Sequence, residues 1–376
     1  MSRKIPFTKP TCWGNEEKFV LEALRSTPLA GGGVFNKSCE KELASILGSS
    51  ALLTTSGSHA LELSALLLDL KPGDEVVVPS FTFVSSANAF ILRGAAPVFV
   101  DNDRYGNIDL DDFERVITPK TRAVCIVHYA GNSCDMERLV SLCKAKKIAL
   151  VEDAAQSLGS TYKDKSLGTF GEFGCISFHD TKNVTSGEGG AIIVRDHAAL
   201  ERAEIIREKG TNRSKFLQGM IDKYTWVDVG SSYVLSELNA AHLFPQLQNL
   251  KAINSRRGEL WKRYRSELAS HFEKIGVELL EIPAYNKSNY HTFGCVFKNI
   301  AARTRFIAFM RERGVATPFH YVALHTSPYG SKFLRGGQKL SNCMKMSDGL
   351  ARLPLFYNLT DDDQAYVIEQ VKAFNS

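Results

Sequence analysis

Apolar and polar residues alternate along the chain in two different periods, and those periods divide it into elements. After a proline-punctuated start over residues 1–14, predicted extended, Asn15 to Leu24 carries helical spacing with Phe19, Leu21 and Leu24 as its apolar positions. Ala30 to Val34 is a glycine loop, where three consecutive glycines would let backbone approach either a ligand or a neighbouring segment. Ser38 to Leu47 is a second amphipathic helix.

From Ala51 the pattern settles into strand and helix in turn. Short apolar runs at Ala51–Thr54, Glu75–Pro79, Pro97–Asp101, Ala123–Val127 and Ala149–Glu152 predict strands. Helical stretches at Gly57–Leu68, Phe83–Leu92, Leu110–Val116 and Met136–Ala145 separate them. Cys175–Phe178 and Ala191–Val194 read as two further strands joined through a tight turn at Gly187–Gly190. Strands this apolar, separated by helices, predict an α/β fold with a mostly parallel sheet covered on both faces. Ala198–Lys209 is a charged helix, and 210–232 is irregular. Ser236 to Leu250 is helical and continues, through a bend, toward Glu259–Phe272. Shorter strands at Gly276–Glu281 and Thr292–Phe297, with helices at Thr304–Glu312 and Asp361–Ala373, predict a smaller α+β unit. The division expected is a large domain over 1–250 and a small C-terminal domain over 251–376.

Composition narrows the class. A chain of 376 residues with 44% hydrophobic and 23% charged residues is ordinary for a globular protein. A net charge of +5, without basic tracts interleaved with aromatics, argues against nucleic acid as a partner. No apolar run reaches the ~20 residues a membrane helix needs, and the first residues lack a signal-peptide core. The eight cysteines form no Cys-x-x-Cys pair and no metal-ligand cluster. Cys125 and Cys175 sit in apolar runs, as buried free thiols of a reducing cytoplasm would.

Candidate chemistry gathers at the predicted strand ends, where ligands of parallel sheets collect. Lys182 lies between the strand Cys175–Phe178 and the Gly187–Gly190 turn. A flexible amine so placed suits capture of a carbonyl cofactor as a Schiff base. An isolated lysine is more often a solvated one, so the reading rests on what accompanies it. Asp153 ends a strand and would face a pyridine nitrogen; by itself it would be read as a helix cap. Gln156, three positions on, offers an amide for a ring oxygen. Ser56, Gly57 and Ser58 close a strand and open a helix, whose free backbone N–H groups suit a phosphate, and Ser177 adds a hydroxyl. Phe81 and Phe83 follow another strand end, and either ring could stack on an aromatic cofactor. Together these are the four things pyridoxal phosphate requires: an amine, an acid, an aromatic face and an anion cradle.

The order of these segments, from Ser56-Gly57-Ser58 through Pro79 to Phe83, Glu152 to Gln156, Ser177 to Asn183 and Gly187 to Gly190, resembles the DegT/DnrJ/EryC1/StrS sugar aminotransferases. The resemblance runs from Ile5-Pro6-Phe7 to Leu353–Tyr357. It implies the fold type I architecture of pyridoxal-phosphate enzymes. It assigns Lys182 to the cofactor aldehyde, Asp153 to the pyridine nitrogen and Gln156 to the ring oxygen. It gives Phe83 the stacking position, and Gly57, Ser58 and Ser177 the phosphate. The stretches 207–213, 223–226, 230–233 and 319–325 are similar to a branch of enterobacterial surface-polysaccharide synthesis. There L-glutamate gives its amino group, by way of pyridoxamine phosphate, to C4 of a dTDP-linked 4-keto-6-deoxyhexose, with the galacto configuration favoured. Arg213, His320 and Tyr321 are the substrate-side candidates by that resemblance. Related dehydratases carry histidine where Lys182 stands, which favours amino transfer, and no extra DNA-binding segment supports a regulatory cofactor sensor. Ser232 occupies a position where many relatives have an asparagine that reaches the cofactor phosphate of a partner subunit, so the family geometry implies a homodimer with sites between subunits.

Overall fold

The computed structural model describes the chain apart from residues 1, 2, 11, 27, 28, 218 and 376, so part of the predicted extended start lies outside the described residues. Its strands are β1 Ser50–Thr54, β2 Glu75–Pro79, β3 Ala96–Val100, β4 Thr121–Val127 and β5 Ala149–Asp153, then the short β6 Thr161–Tyr162 and β7 Lys165–Ser166. They continue as β8 Phe173–Ser177, β9 Gly190–Val194, β10 Glu278–Leu279, β11 Asn286–Lys287, β12 Phe293–Val296 and β13 Leu350–Leu353.

Seven of them form one sheet in the order β1-β9-β8-β5-β4-β2-β3. Pairing is parallel from β3 through β2, β4 and β5 to β8, while β9 runs antiparallel to both β8 and β1. The sheet is therefore mixed and mostly parallel, as the pattern predicts. Alternation along β2 shows why its strands read as continuous apolar runs. Val76 and Val78 pack on one side with the helix Gly57–Leu67, and Val77 packs on the other with Phe113 and Leu139. A strand buried on both faces has no polar side to show.

A second sheet, β10-β12-β13, packs on Tyr264, Leu268 and Phe272 of the long helix Leu250–Lys274 and on Phe306 and Val367. The bend predicted between the two C-terminal helices falls at Asn249, after Pro245 in the last turn of the helix Glu237–Gln248. A further apolar cluster joins Phe81 and Tyr129 from the large sheet to Leu324, Met346 and Leu350. That cluster forms one wall of the site. Among the described residues no helix is long and apolar enough to cross a membrane, and no group of side chains is arranged to hold a metal ion.

Several predicted bounds needed correction; the helix predicted over Thr304–Glu312, for example, begins at Ile300. The second helix begins at Val34, not Ser38. No local side chain caps it; the carboxylate of Glu237 does so from some two hundred residues away, accepting from the backbone N–H of Gly33, Phe35 and Asn36 at 3.0, 2.8 and 3.1 Å. The glycine loop before it serves that packing, since a Cβ on Gly31 would stand 2.1 Å from the carbonyl oxygen of Leu235. The irregular stretch 210–232 also contains one short helix, Arg213–Leu217.

Candidate active site

The carboxyl ends of β1, β2, β5 and β8 open into a cavity of about 530 Å³. Its walls include Gly57, Ser58, Phe83, Asp153, Gln156, Ser177 and Lys182, and, from the second half of the chain, His320 and Tyr321. A larger hollow, about 690 Å³, is lined by Lys144, Lys147 and Arg195 and contains none of the residues that the sequence singles out.

Asp153 ends β5 between β4 and β8, with Val127 and Cys175 as its ladder neighbours. One carboxylate oxygen accepts from the Ser86 hydroxyl at 2.6 Å and the other from the Ala155 N–H at 3.1 Å. Burial pushes this acid above its ordinary range, against the pull of those two donors and of Lys182. Lys182 shows the complementary effect. Burial lowers its amine to about 8, partly offset by Asp153 and reinforced by Arg352. Each group therefore holds the other's charge incompletely, and both would gain from a polar ligand between them.

The helix Gly57–Leu67 begins at the cavity edge. The Ser56 hydroxyl caps it by accepting from the His59 N–H at 3.1 Å, and the Ser58 hydroxyl meets that of Ser85 at 2.6 Å. Gly57 lies so close to β8 that a Cβ there would stand 2.8 Å from Cβ of Ser177. That contact brings the Ser177 hydroxyl beside the helix's free N–H groups. Gln156 ties the two halves of the chain together, its oxygen accepting from the Ala130 N–H at 2.8 Å and its amide donating to the Tyr321 hydroxyl at 2.9 Å. Phe83 is 54% exposed at the cavity wall, whereas Phe81 is fully buried against Tyr129 and Tyr321. Of the two rings, only Phe83 can meet a ligand.

The His320 ring stacks on Tyr321 with centroids 3.6 Å apart and meets the Tyr129 hydroxyl at 2.7 Å. Burial and the nearby Arg352 and Lys182 charges push His320 well below its ordinary value, so its ring is neutral. Arg213 and Ser232 do not reach this cavity. Arg213 pairs with Glu208 at 3.3 Å, and Ser232 is exposed beside Tyr233.

Sequence reasoning missed Arg352 and His291. The His291 ring lines the cavity and bonds Asn183, the neighbour of Lys182, at 3.0 Å. Arg352 did leave a signal. It is the one charged residue in the strand Leu350–Leu353, and it takes a slot where alternation calls for an apolar side chain.

A lysine and an acid buried at parallel strand ends, beside a helix start rich in hydroxyls, define an enzyme of the α/β class built for carbonyl–amine chemistry. The pattern of the DegT/DnrJ/EryC1/StrS aminotransferase family matches residues 12–372, so the chain belongs to that family. It is 31% identical over 380 residues to GDP-perosamine synthase of Escherichia coli O157:H7, covering 99% of both proteins. Among solved structures it is similar to the aminotransferase TlmJ from Streptoalloteichus hindustanus (TM-score 0.90, 30% identity, 99% of this chain and 98% of that one). It is also similar to the PLP form of the putative sugar aminotransferase Spr1654 from Streptococcus pneumoniae (TM-score 0.89, 26% identity, 99% and 98% covered).

Proposed function

We propose that the chain is a pyridoxal-phosphate-dependent aminotransferase that moves an amino group from L-glutamate to C4 of a dTDP-linked 4-keto-6-deoxyhexose, giving the 4-amino sugar, galacto for preference. The observation that carries this reading is the shared burial of Lys182 and Asp153 in one cavity. The residues present fit the cofactor. The start of the helix Gly57–Leu67, with Ser58 and Ser177, suits its phosphate; Asp153 suits a protonated ring nitrogen; Gln156 suits the ring oxygen; and Phe83 suits the ring face. When bound, pyridoxal phosphate supplies the electron sink and the carbon that carries the amino group between the two substrates.

The chain's own groups do the rest. Nζ of Lys182, half neutral near pH 8, can both take and return a proton at neutral pH. Asp153, fixed by Ser86 and the Ala155 N–H, offers its carboxyl group where a cationic ring is to be held. Tyr321 and His320 stand on the substrate side, with Tyr321 held by Gln156. Arg213 and Ser232 lie outside the chain's own cavity, so any contact of theirs with a ligand would be made across the interface of a homodimer. The large and small domains, divided near residue 250, would close the site between them. A cytoplasmic enzyme supplying surface-polysaccharide synthesis fits this reading.

A second reading, a GDP-linked keto sugar, draws on the relative whose name couples GDP with perosamine. The test is to incubate the cofactor-loaded protein with glutamate and dTDP-, GDP- and UDP-linked keto sugars, and to assign the products by NMR. A 4-amino sugar from the dTDP substrate is expected. A deoxygenated sugar, or no nitrogen transfer from any substrate, would refute the reading.

A further inference from the structure

One ring at the cavity wall has no part in the chemistry above. His291 stands just before β12, and its Nδ1 meets Oδ1 of Asn183 at 3.0 Å. The orientation of that amide is fixed on its far side. Nδ2 of Asn183 donates to the Asn289 carbonyl at 3.0 Å and to Oδ1 of Asn254 at 2.9 Å. A backbone carbonyl only accepts, so the nitrogen of Asn183 faces it and the oxygen faces His291. His291 is therefore the donor, and its proton sits on Nδ1. Burial and the cations Lys182, Arg257 and Arg352 push the ring well below its ordinary value, so it stays neutral. Nε2 then carries a bare lone pair. The ring lines the cavity, and Nε2 has no partner among the described residues. A base this weak accepts a hydrogen bond but takes no proton near neutral pH.

We propose that Nε2 of His291 accepts a hydrogen bond from the C3 hydroxyl of the keto sugar and so helps to set sugar specificity, which rests on the aminotransferase reading above. His291 and Lys182 border one small void of about 10 Å³, so the ring lies beside the reacting centre. An acceptor there calls for a ligand group that donates. The cofactor's phosphate, ring nitrogen, ring oxygen and ring face are matched above by other residues. L-Glutamate carries one nitrogen, and that amine has to reach the cofactor carbon. A 4-keto-6-deoxyhexose has a methyl group at C6 and hydroxyls at C2 and C3. Of these only the C3 hydroxyl both donates and adjoins the C4 carbonyl. The tautomer that Asn183 imposes turns the ring into an acceptor for it, and a site built around one such bond rejects a sugar that lacks the hydroxyl.

The test begins with the wild-type holoenzyme in its pyridoxamine form. Its sugar half-reaction, followed by cofactor absorbance in a single turnover, is compared for dTDP-4-keto-6-deoxyglucose and the 3-deoxy counterpart, or for the same pair on whichever nucleotide the wild type accepts. The 3-deoxy sugar leaves Nε2 unpaired and should be used about 10- to 100-fold less efficiently. His291→Phe keeps a ring and removes the acceptor, so it should use the two sugars within about threefold of each other. Any loosening of Asn183 slows both sugars alike, and the ratio therefore isolates Nε2. A readout free of turnover is calorimetric titration of the pyridoxal form with dTDP-6-deoxygalactose and its 3-deoxy counterpart. The wild type should bind the first about tenfold tighter or more, and His291→Phe should not. Nitrogen NMR of histidine-labelled protein should show the His291 proton on Nδ1 between about pH 6 and 8. Equal use of the two sugars by the wild type overturns the proposal without any variant. So does a His291→Phe protein that discriminates as the wild type does, or a proton found on Nε2. A wild-type holoenzyme that passes no nitrogen to any keto sugar is a different failure: it removes the aminotransferase reading and this proposal with it.

Discussion

Lys182→Met in the cofactor-free protein tests the electrostatics of the site most directly. Methionine keeps the apolar stem of the side chain and removes the amine. The folded chain holds Lys182 at about 8 against an ordinary 10.5, a gap that corresponds to ~3 kcal/mol of penalty on the charged form. The sign follows from proton counting. Between pH 8 and 10.5 the unfolded lysine binds more protons than the folded one, so wild-type stability rises with pH across that window. Below pH 8 the penalty is fully present, and above 10.5 it has vanished. The variant carries no such term, so it should be the more stable protein at pH 7. Its lead should shrink by ~2 kcal/mol between pH 7 and pH 9.5, the part of the ~3 kcal/mol that this interval spans. Urea unfolding of both proteins at the two pH values measures the difference. A lead that stays constant or grows with pH would show that the amine is not desolvated, and the argument for Lys182 as a neutral-pH proton carrier would fail.

Asp153→Asn keeps the shape and the Ser86 contact but removes the charge, and multiple-turnover activity should fall by about 100-fold or more, measured as amino-sugar formation at saturating glutamate. Gly57→Ala places a methyl 2.8 Å from Cβ of Ser177; it should cost ~1–3 kcal/mol in stability and speed cofactor dissociation in a dialysis assay. Glu237→Ala leaves the N–H groups of Gly33, Phe35 and Asn36 and the Asn36 amide without their acceptor. It should lower stability by ~3 kcal/mol, with faster hydrogen exchange at Phe35 and Asn36 as the local signature.

The large sheet was legible because its strands are buried on both faces, and a run such as Val76-Val77-Val78 has few other homes. The large-sheet side of the cavity was legible for a related reason. Asp153, Ser177 and the turn at Gly57 are each fixed by a strand end, and strand ends can be placed from sequence. What escaped depends on contacts distant in the chain. The start of the second helix waits on Glu237, and the orientation of Tyr321 on Gln156, 165 residues away. The 3-residue offset of Gln156 from Asp153 could be seen; its hydrogen bonds could not. Phe83 and Phe81 look alike in sequence, and only the packing of Phe81 against Tyr129 separates the ring that faces the cavity from the ring that fills the core.

The end of β5 shows how close the two kinds of information lie. Glu152 and Asp153 are adjacent acids, and side chains of adjacent strand residues point to opposite faces. Glu152 points away from the cavity and is fully buried. It accepts from the N–H groups of Gly168, Phe170 and Gly171 at 2.8, 2.6 and 2.7 Å and meets Nε2 of His128 at 2.7 Å. The three N–H donors fasten the loop that leads into β8, and β8 carries Ser177. Asp153 points into the cavity with two donors and spare acceptor capacity, so it can still take a hydrogen bond from a ligand. One acid is saturated by the protein and fixes the backbone; the other keeps acceptor capacity that a ligand can fill. Arg257 and Arg352 differ likewise at Nε: that of Arg257 donates to the Tyr290 carbonyl, with a terminal nitrogen on the His291 carbonyl, whereas Nε of Arg352 has no partner. Two charges with unfilled bonding capacity, Asp153 at the end of β5 and Arg352 on β13, line the same cavity from opposite halves of the chain.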